Sequence, residues 1–276
     1  MGLRINNNIA AFNAHRQLTA TDNALSKSIA RLSSGLRINQ ARDDVAGLQI
    51  ANAFRTDVRG LRMAQQNTAQ ANAMLQQAEG AANQVETILE RLKELATSAA
   101  SDNTDSAGRT ALNAEAGKLI NEINRIAADT KYSAVTLING EGGSLDFQVG
   151  TTASSDARIT VDLSNVNFTA TALCVNSLDL TDKSGAQSAI TSVDQGVSVA
   201  GTGMGSIGAA QSQLSFASAN LATSIENIAA SESTIRDADM AFEMISFTRN
   251  QILLQAGTAM LAQANLAPQN VLSLFG

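Results

Sequence analysis

Apolar and small residues recur at coiled-coil spacing toward both ends of this 276-residue chain, and its middle lacks the pattern. In the N-terminal half they step by three and four residues, at Leu61, Ala64, Thr68, Ala71, Leu75, Ala78, Ala82, Val85, Leu89, Leu92 and Ala96. Toward the C-terminus they recur every seven residues, at Ile207, Leu214, Leu221, Ile228, Ile235 and Phe242. Such a pattern keeps one narrow apolar stripe facing a partner helix. It predicts a mainly α-helical rod of long heptad-patterned helices, an architecture typical of assembly rather than catalysis.

The composition favours thin helix seams over a large globular core. The chain has no Trp, one Tyr (Tyr132) and one Pro (Pro268), and only 3% of its residues are aromatic. Aromatic side chains supply much of the packing in globular cores. Its single cysteine, Cys174, excludes an internal disulfide and a cysteine-built metal site. We expect this cysteine to be a small, partly buried apolar residue.

Charge and hydropathy restrict the partners. The net charge of -6 argues against nucleic acid. No apolar run approaches the length of a transmembrane helix, so no membrane partner is expected. The first residues lack the apolar segment of a signal peptide, so no cleaved signal is expected.

Local patterns place the helices. A first helix is predicted over about 10–33, ended by Gly35 in a left-handed cap, with Asp43 or Asp44 capping the next helix. The second is predicted over about 45–99, and a third carries Leu112, Ala116, Leu119, Ile123 and Ile126 on one face. Helix returns after about residue 185 and is predicted to continue to Ala267, where Pro268 stops it.

The middle of the chain changes its period. Apolar residues alternate in two short runs, at Leu145, Phe147 and Val149 and at Ile159, Val161 and Leu163. Alternation is typical of strands, so a small β-hairpin is predicted over about 144–164. Residues 165–185 are polar and weakly patterned, and a short surface loop is predicted there.

The glycines near residue 205 permit an enzymatic alternative. Gly203, Gly205 and Gly208 have the G-x-G-x-x-G spacing that brings backbone amides close to a pyrophosphate. A nucleotide site also needs a preceding strand and a βαβ unit, and here the helical phase runs through the glycines. We therefore expect a helix loosened by glycine, and no cofactor. His15 is the only histidine and Cys174 the only cysteine, so the sequence predicts neither a zinc cluster nor a nucleophile activated by histidine.

Specific motifs at both ends resemble those of bacterial flagellins. Near the N-terminus these are Ser33-Ser34-Gly35-Leu36-Arg37-Ile38-Asn39 and Ala41-Arg42-Asp43-Asp44-Val45-Ala46-Gly47-Leu48. Near the C-terminus they are Ile235-Arg236-Asp237-Ala238-Asp239-Met240-Ala241, Gln255-Ala256-Gly257-Thr258 and Pro268-Gln269-Asn270-Val271-Leu272-Ser273-Leu274. The resemblance covers roughly 1–165 and 186–276, in the family's order. It implies a short flagellin without the variable outer domains.

The resemblance implies a structural protein, not an enzyme, whose copies polymerise into the helical flagellar filament, the propeller for swimming. Residues 1–44 with 237–276 would form the inner coiled-coil domain, and 45–236 a second domain with the hairpin. It implies export through the flagellar type III machinery with a chaperone, contact with cap and junction proteins, and an extracellular location. A hook–filament junction or adaptor protein, which can share terminal coiled coils, is the alternative.

Two sets of surface residues follow. The terminal arms, residues 1–44 and 237–276, each carry an apolar stripe. They can bury these stripes only against each other and against neighbouring subunits. The predicted assembly seam comprises Leu18, Leu25, Ile29, Leu32, Ile235, Phe242, Ile245, Ile252 and Leu266. In flagellins that activate the Toll-like flagellin receptor of animals, an Arg, a Leu and a Glu carry much of the contact. By motif these correspond to Arg91, Leu95 and Glu115 here.

Overall fold

The computed structural model describes residues 8–272, with side-chain surroundings through residue 266. The described part is mainly helical, which confirms the predicted fold class. The helices are α1 (Ile9–Ser34), α2 (Val45–Ala100), α3 (Ser106–Asp129), α4 (Lys183–Arg236) and α5 (Met240–Leu272). The strands are β1 (Lys131–Tyr132), β2 (Val135–Thr136), β3 (Ser144–Gln148) and β4 (Arg158–Asp162).

The chain divides into two compact units. One combines the residues up to Asp57 with those from Asn227 onward, and the other is Val58–Glu226. These divisions fall within α2 and α4, whereas the domain boundaries expected from the sequence lie at helix ends, after residue 44 and before residue 237.

The first unit is built on α1 and α5, which pack against each other. Gly35 ends α1 in the left-handed region, with φ 70°, and its N–H donates to the carbonyl of Arg31 at 2.8 Å, as its cap was predicted to do. Asp44 caps α2 by accepting a hydrogen bond from the Gly47 N–H at 2.9 Å. Asp43 instead accepts from the N–H groups of Asn39 and Gln40.

The C-terminal helix differs from its prediction at two points. It is interrupted after Arg236 and restarts at Met240, and it does not end before Pro268. At the interruption, the Arg37 N–H donates to the Arg236 carbonyl at 2.6 Å and the Ala238 N–H donates to the Gly35 carbonyl at 2.9 Å. The loop after α1 therefore takes up backbone groups that a continuous helix would have bonded internally.

Helix α5 passes Pro268 because another group replaces the missing donor. Proline has no N–H, so the carbonyl of Ala264, four residues earlier, loses its helical partner. The side-chain amide of Asn8 donates to that carbonyl at 2.8 Å. The same Asn8 caps α1, since its Oδ1 accepts from the Ala11 N–H at 3.1 Å.

The core of the second unit is built on the heptad-spaced residues of α2 and α4. All of the heptad residues listed above for α2 from Ala64 to Ala96 are buried, and Leu61 is half-buried. On α4 the matching buried positions include Val193, Ala200, Ile207 and Leu214. Strands β3 and β4 pair antiparallel from Ser144 with Asp162 to Gln148 with Arg158, which confirms the hairpin.

The segment after the hairpin is irregular but is not the surface loop that was predicted. Its apolar side chains are buried, at Val166, Phe168, Ala170, Leu173, Val175 and Leu180. Asn124 and Asn113 on α3 accept hydrogen bonds from the N–H groups of Ala170 and Leu180, both at 3.0 Å. Because side chains satisfy its backbone, the segment can enter the core without forming a helix or strand.

Two glycines of α4 admit this segment. A Cβ at Gly196 would lie 2.7 Å from the Leu173 carbonyl oxygen, and one at Gly203 would lie 3.0 Å from the ring of Phe168. Gly203, Gly205 and Gly208 all lie inside α4. Of these three, only Gly203 has a neighbour that a Cβ would meet, and the nucleotide-binding alternative lacks the loop that it requires.

Candidate assembly surface

Helices α1 and α5 meet through positions spaced three and four residues apart. On α1, Leu18, Leu25 and Leu32 are half-buried, with Thr21 and Ser28 buried between them. The half-buried or buried positions of α5 are Glu243, Phe247, Asn250, Leu254, Gly257, Leu261 and Ala264, besides Ser246. Gly257 lets the helices approach, because a Cβ there would lie 2.8 Å from Leu18 Cδ1.

The residues predicted for the seam on α5 lie on the opposite face of that helix. Ile245 is 67% exposed, Ile252 60% and Leu266 47%, and Ala259 in the same heptad series is exposed. We call Ile245, Ile252, Ala259 and Leu266 the outward stripe of α5. The helix therefore carries two apolar stripes, one toward α1 and one away from it.

Of the other predicted seam residues, some face the partner helix and some are exposed. Leu18, Leu25 and Leu32 face α5, whereas Ile29 is 49% exposed. Ile235 is half-buried, but Phe242 is 66% exposed because the helix is interrupted between them. A heptad count carried across this interruption loses its structural meaning.

Helix α1 has no second apolar stripe. The positions opposite its seam are Arg16, Asn23 and Ala30, all exposed. Phe12 is 82% exposed and Ile9 61%, so the exposed large apolar residues of α1 are confined to its first turns and Ile29. The two helices of the pair therefore have different outer surfaces, one polar and one apolar.

Charged contacts fix one end of the helix pair. Arg31 Nη1 lies 3.6 Å from Glu243 Oε2, and Glu243 is 6% exposed. Lys27 Nζ lies 3.1 Å from Asp43 Oδ1. The hydrogen bond from Lys27, helped by those from the backbone of Gln40 and Asn39, lowers the pKa of Asp43. The pairing of the buried Glu243 carboxylate with Arg31 favours one alignment of the two helices.

The predicted receptor contacts do not share one surface. Arg91 Nη2 lies 2.9 Å from Glu115 Oε1, and Arg91 Nη1 lies 2.8 Å from Glu94 Oε2. Hydrogen bonds to Glu94 and Glu115 raise the pKa of the Arg91 guanidinium. Leu95, however, is 2% exposed, because it packs in the core of the second unit. The structure thus leaves Arg91 and Glu115, without Leu95, as surface residues.

Comparison with known proteins decides the family. Residues 5–142 match the model of the bacterial flagellin N-terminal helical region, and residues 184–275 match that of the C-terminal helical region. The chain belongs to the bacterial flagellin family. Flagellins are structural proteins, so this flagellin is a filament subunit and not an enzyme.

Relatives match over nearly their whole length. A flagellin of Halalkalibacterium halodurans is 42% identical over 98% of this flagellin and 99% of its own length. A flagellin of Bacillus subtilis is 36% identical over 99% and 100%, and the flagellar filament core protein flaB2 of Brachyspira hyodysenteriae is 37% identical over 98% and 99%. These names favour the filament subunit over the junction-protein alternative.

A solved structure supports the fold. The crystal structure of Bacillus cereus flagellin aligns with a TM-score of 0.50 at 22% identity, covering 56% of this flagellin and 88% of that chain. Among the described residues, no helix combines the length and the apolar character that crossing a membrane requires.

Sequence reasoning missed three contributors to the α1–α5 contact. Asn8, Gly257 and Glu243 are polar or small, so a search for apolar heptads passes over them. The signal for Glu243 and Gly257 is their spacing from Phe247, Leu254 and Leu261, which completes a three-and-four pattern. For Asn8 the signal is Pro268, whose missing N–H leaves a helix carbonyl in need of a donor.

Proposed function

We propose that this flagellin polymerises into the filament through the outward stripe of α5, covered by further copies of the same chain. The observation that carries the proposal is the exposure of Ile245, Ile252 and Leu266 on the face away from α1. An exposed apolar stripe along a helix typically marks a protein interaction site. The family's self-assembly supplies the occupant.

The two helices have different roles in this proposal. Helix α5 is covered on one side by its own α1 and on the other by a neighbouring copy, whereas the polar back of α1 needs no such cover. Contacts of this kind use different surfaces on the two copies, and they generate an open helical assembly when the rotation between copies does not close a ring. Residues 1–44 with 237–276 form the inner coiled-coil domain of the filament, and 45–236 the second domain.

Further partners follow from the family. The subunit passes through the flagellar type III export machinery with its chaperone, meets the cap and junction proteins, and takes its place in an extracellular filament that drives swimming.

The outward stripe is tested by Ile252→Gln. Burying an isoleucine side chain contributes roughly 1.5–3 kcal/mol, so losing it at every contact should raise the critical concentration for polymerisation at least about tenfold. Exposed Asn23→Ala, on the polar back of α1 that the proposal leaves uncovered, is the control. Light scattering of seeded monomer gives the readout, and circular dichroism checks that helicity is unchanged. Polymerisation of Ile252→Gln at the wild-type concentration would refute the stripe.

A host receptor is a second proposed partner of the free subunit. The supporting observation is that Arg91 and Glu115 form an exposed ion pair between α2 and α3. In a reporter-cell assay, Arg91→Ala monomer should activate the Toll-like flagellin receptor less than wild type. A response unchanged by Arg91→Ala, or no response to the wild-type monomer, would exclude this contact.

A further inference from the structure

Two exposed charges stand alone on the helix pair. After Glu243, the only charged residue of α5 is Arg249, and the only acidic residue of α1 is Asp22. Both side chains are exposed. Among the described residues, neither takes part in an ion pair or a side-chain hydrogen bond. Arg249 lies beside an apolar groove lined by Met244, Ile245, Thr248, Ile252 and Leu253.

The two charges lie at similar heights along the antiparallel pair. Leu18 meets Gly257 and Arg31 meets Glu243, so residues between 18 and 31 lie level with residues between 243 and 257. Asp22 and Arg249 both fall inside these limits. They nevertheless do not pair within the chain.

They do not pair because they lie on opposite flanks. Asp22 directly follows the seam residue Thr21, and its counterpart on α5, directly after Asn250, is Gln251. In an antiparallel pair with about 3.6 residues per turn, these two positions share one flank. Arg249 precedes Asn250 and lies on the other flank. Each copy thus presents an anion on one side and a cation on the other.

We propose that Arg249 of one copy pairs with Asp22 of a second copy across the filament contact, an inference that rests on the proposed function of the outward stripe. Covering the groove beside Arg249 removes water from its guanidinium, which is costly without a counter-ion. Helix α5 of a neighbour offers no carboxylate side chain between Met244 and Leu272, whereas α1 offers Asp22. Because the pair joins unlike flanks, each addition leaves both charges available for the next copy.

Charge reversal tests the pair in a way that misfolding cannot imitate. Asp22→Arg and Arg249→Asp each place like charges in the contact, so each variant alone should polymerise at least about tenfold more slowly than wild type. In a 1:1 mixture the two variants can alternate, with opposite charges at every contact. The mixture should therefore recover filament growth that neither variant shows alone. Arg16→Asp, on the back of α1, makes the same charge change and should polymerise like wild type.

The outcomes separate this inference from the proposed function. Wild-type growth of the single variants, or a mixture as slow as its components, overturns the Asp22–Arg249 pair. If Ile252→Gln still blocks growth in that case, the outward stripe stands and only the charge pair fails. The milder Asp22→Asn and Arg249→Gln give a second measurement, since added salt should slow the wild type more steeply than either variant. Equal salt dependence overturns the pair as well.

Discussion

At the scale of single residues, Gly203 shows how a missing side chain shapes a core. A Cβ there would lie 3.0 Å from Cε2 and 3.1 Å from Cζ of Phe168, whose ring is fully buried and has little room to shift. Gly205 is exposed, and a Cβ there would meet nothing within 4 Å.

These two glycines give opposite expectations for the same substitution. Gly203→Ala should lower the free energy of unfolding by about 1–3 kcal/mol, because it overpacks the Phe168 site. Gly205→Ala should raise it by up to about 1 kcal/mol, because alanine favours the helix. Urea unfolding of the monomer, followed by circular dichroism, compares the two. A stabilising Gly203→Ala would show that the core yields more easily than its packing indicates.

Asp102 provides a prediction about pH. Lys183 Nζ lies 2.7 Å from Asp102 Oδ2, and its hydrogen bond lowers the pKa of that carboxyl. Because the folded state lowers this pKa, the ionised carboxylate stabilises the fold at pH values above the ordinary pKa of about 3.9. This contribution is lost as the pH falls through the pKa of the folded state. Carbon-detected NMR titration should show a pKa for Asp102 below about 3.9, rising in Lys183→Gln. An unchanged titration in Lys183→Gln would mean that the pair does not form in solution.

At the scale of elements, the end of α5 depends on a residue at the other end of the chain. Asn8→Ala removes the donor to the Ala264 carbonyl, a hydrogen bond of about 0.5–1.5 kcal/mol, and also the cap of α1, which contributes about 0.5–2 kcal/mol. Pro268→Ala restores a backbone N–H four residues after Ala264, so Asn8→Ala should cost less in that background. Amide hydrogen exchange of α5 in filaments measures both. Additive effects of the two substitutions would contradict this compensation.

The phase of α5 was the part of the fold that its sequence could not decide. Two series on this helix follow a heptad spacing. One is the outward stripe, and the other contains the residues that contact α1, among them Phe247, Leu254 and Leu261. A helix that is apolar on two faces gives no internal sign of which face meets its partner. By contrast, α2 has one predicted stripe, and the heptad positions of that stripe from Ala64 to Ala96 are buried as expected.

The segment after the hairpin differs from its predicted surface loop for a different reason. Its buried residues alternate over only two short stretches, at Val166, Phe168 and Ala170 and at Leu173 and Val175, which are too short to predict a strand. They are held by distant groups, such as Asn124 and the space at Gly203, which appear only once α3 and α4 are packed. Periodicity detects regular elements, and it cannot detect a core segment whose order comes from its neighbours.

At the scale of the whole molecule, stability is unevenly shared between the two units. The buried residues of α1 are Thr21 and Ser28, and no apolar side chain of α1 is fully buried, whereas the second unit buries Leu75, Leu89, Leu92 and Ile123 completely. Ordering the backbone costs about 1–2 kcal/mol per residue, and the α1–α5 contact has little apolar burial to offset it. We therefore expect both arms to become ordered fully only on assembly.

Truncation tests this expectation. A fragment spanning 45–236 should remain soluble and helical but should not polymerise, because it lacks the outward stripe. The full chain should gain helical signal by circular dichroism as light scattering reports filament growth. Filaments formed by the fragment would place the assembly contacts elsewhere, and amides protected throughout the arms of the monomer would show that they fold before assembly.

The outward stripe of α5 also shapes the life of a subunit before assembly. Until it is covered, Ile245, Ile252 and Leu266 form an apolar surface open to any other apolar surface in the cell. Free subunits are therefore exposed both to aggregation and to proteases that act on loosely held segments. The pool of free subunits must be kept small and short-lived, and incorporation into the filament is what ends the risk.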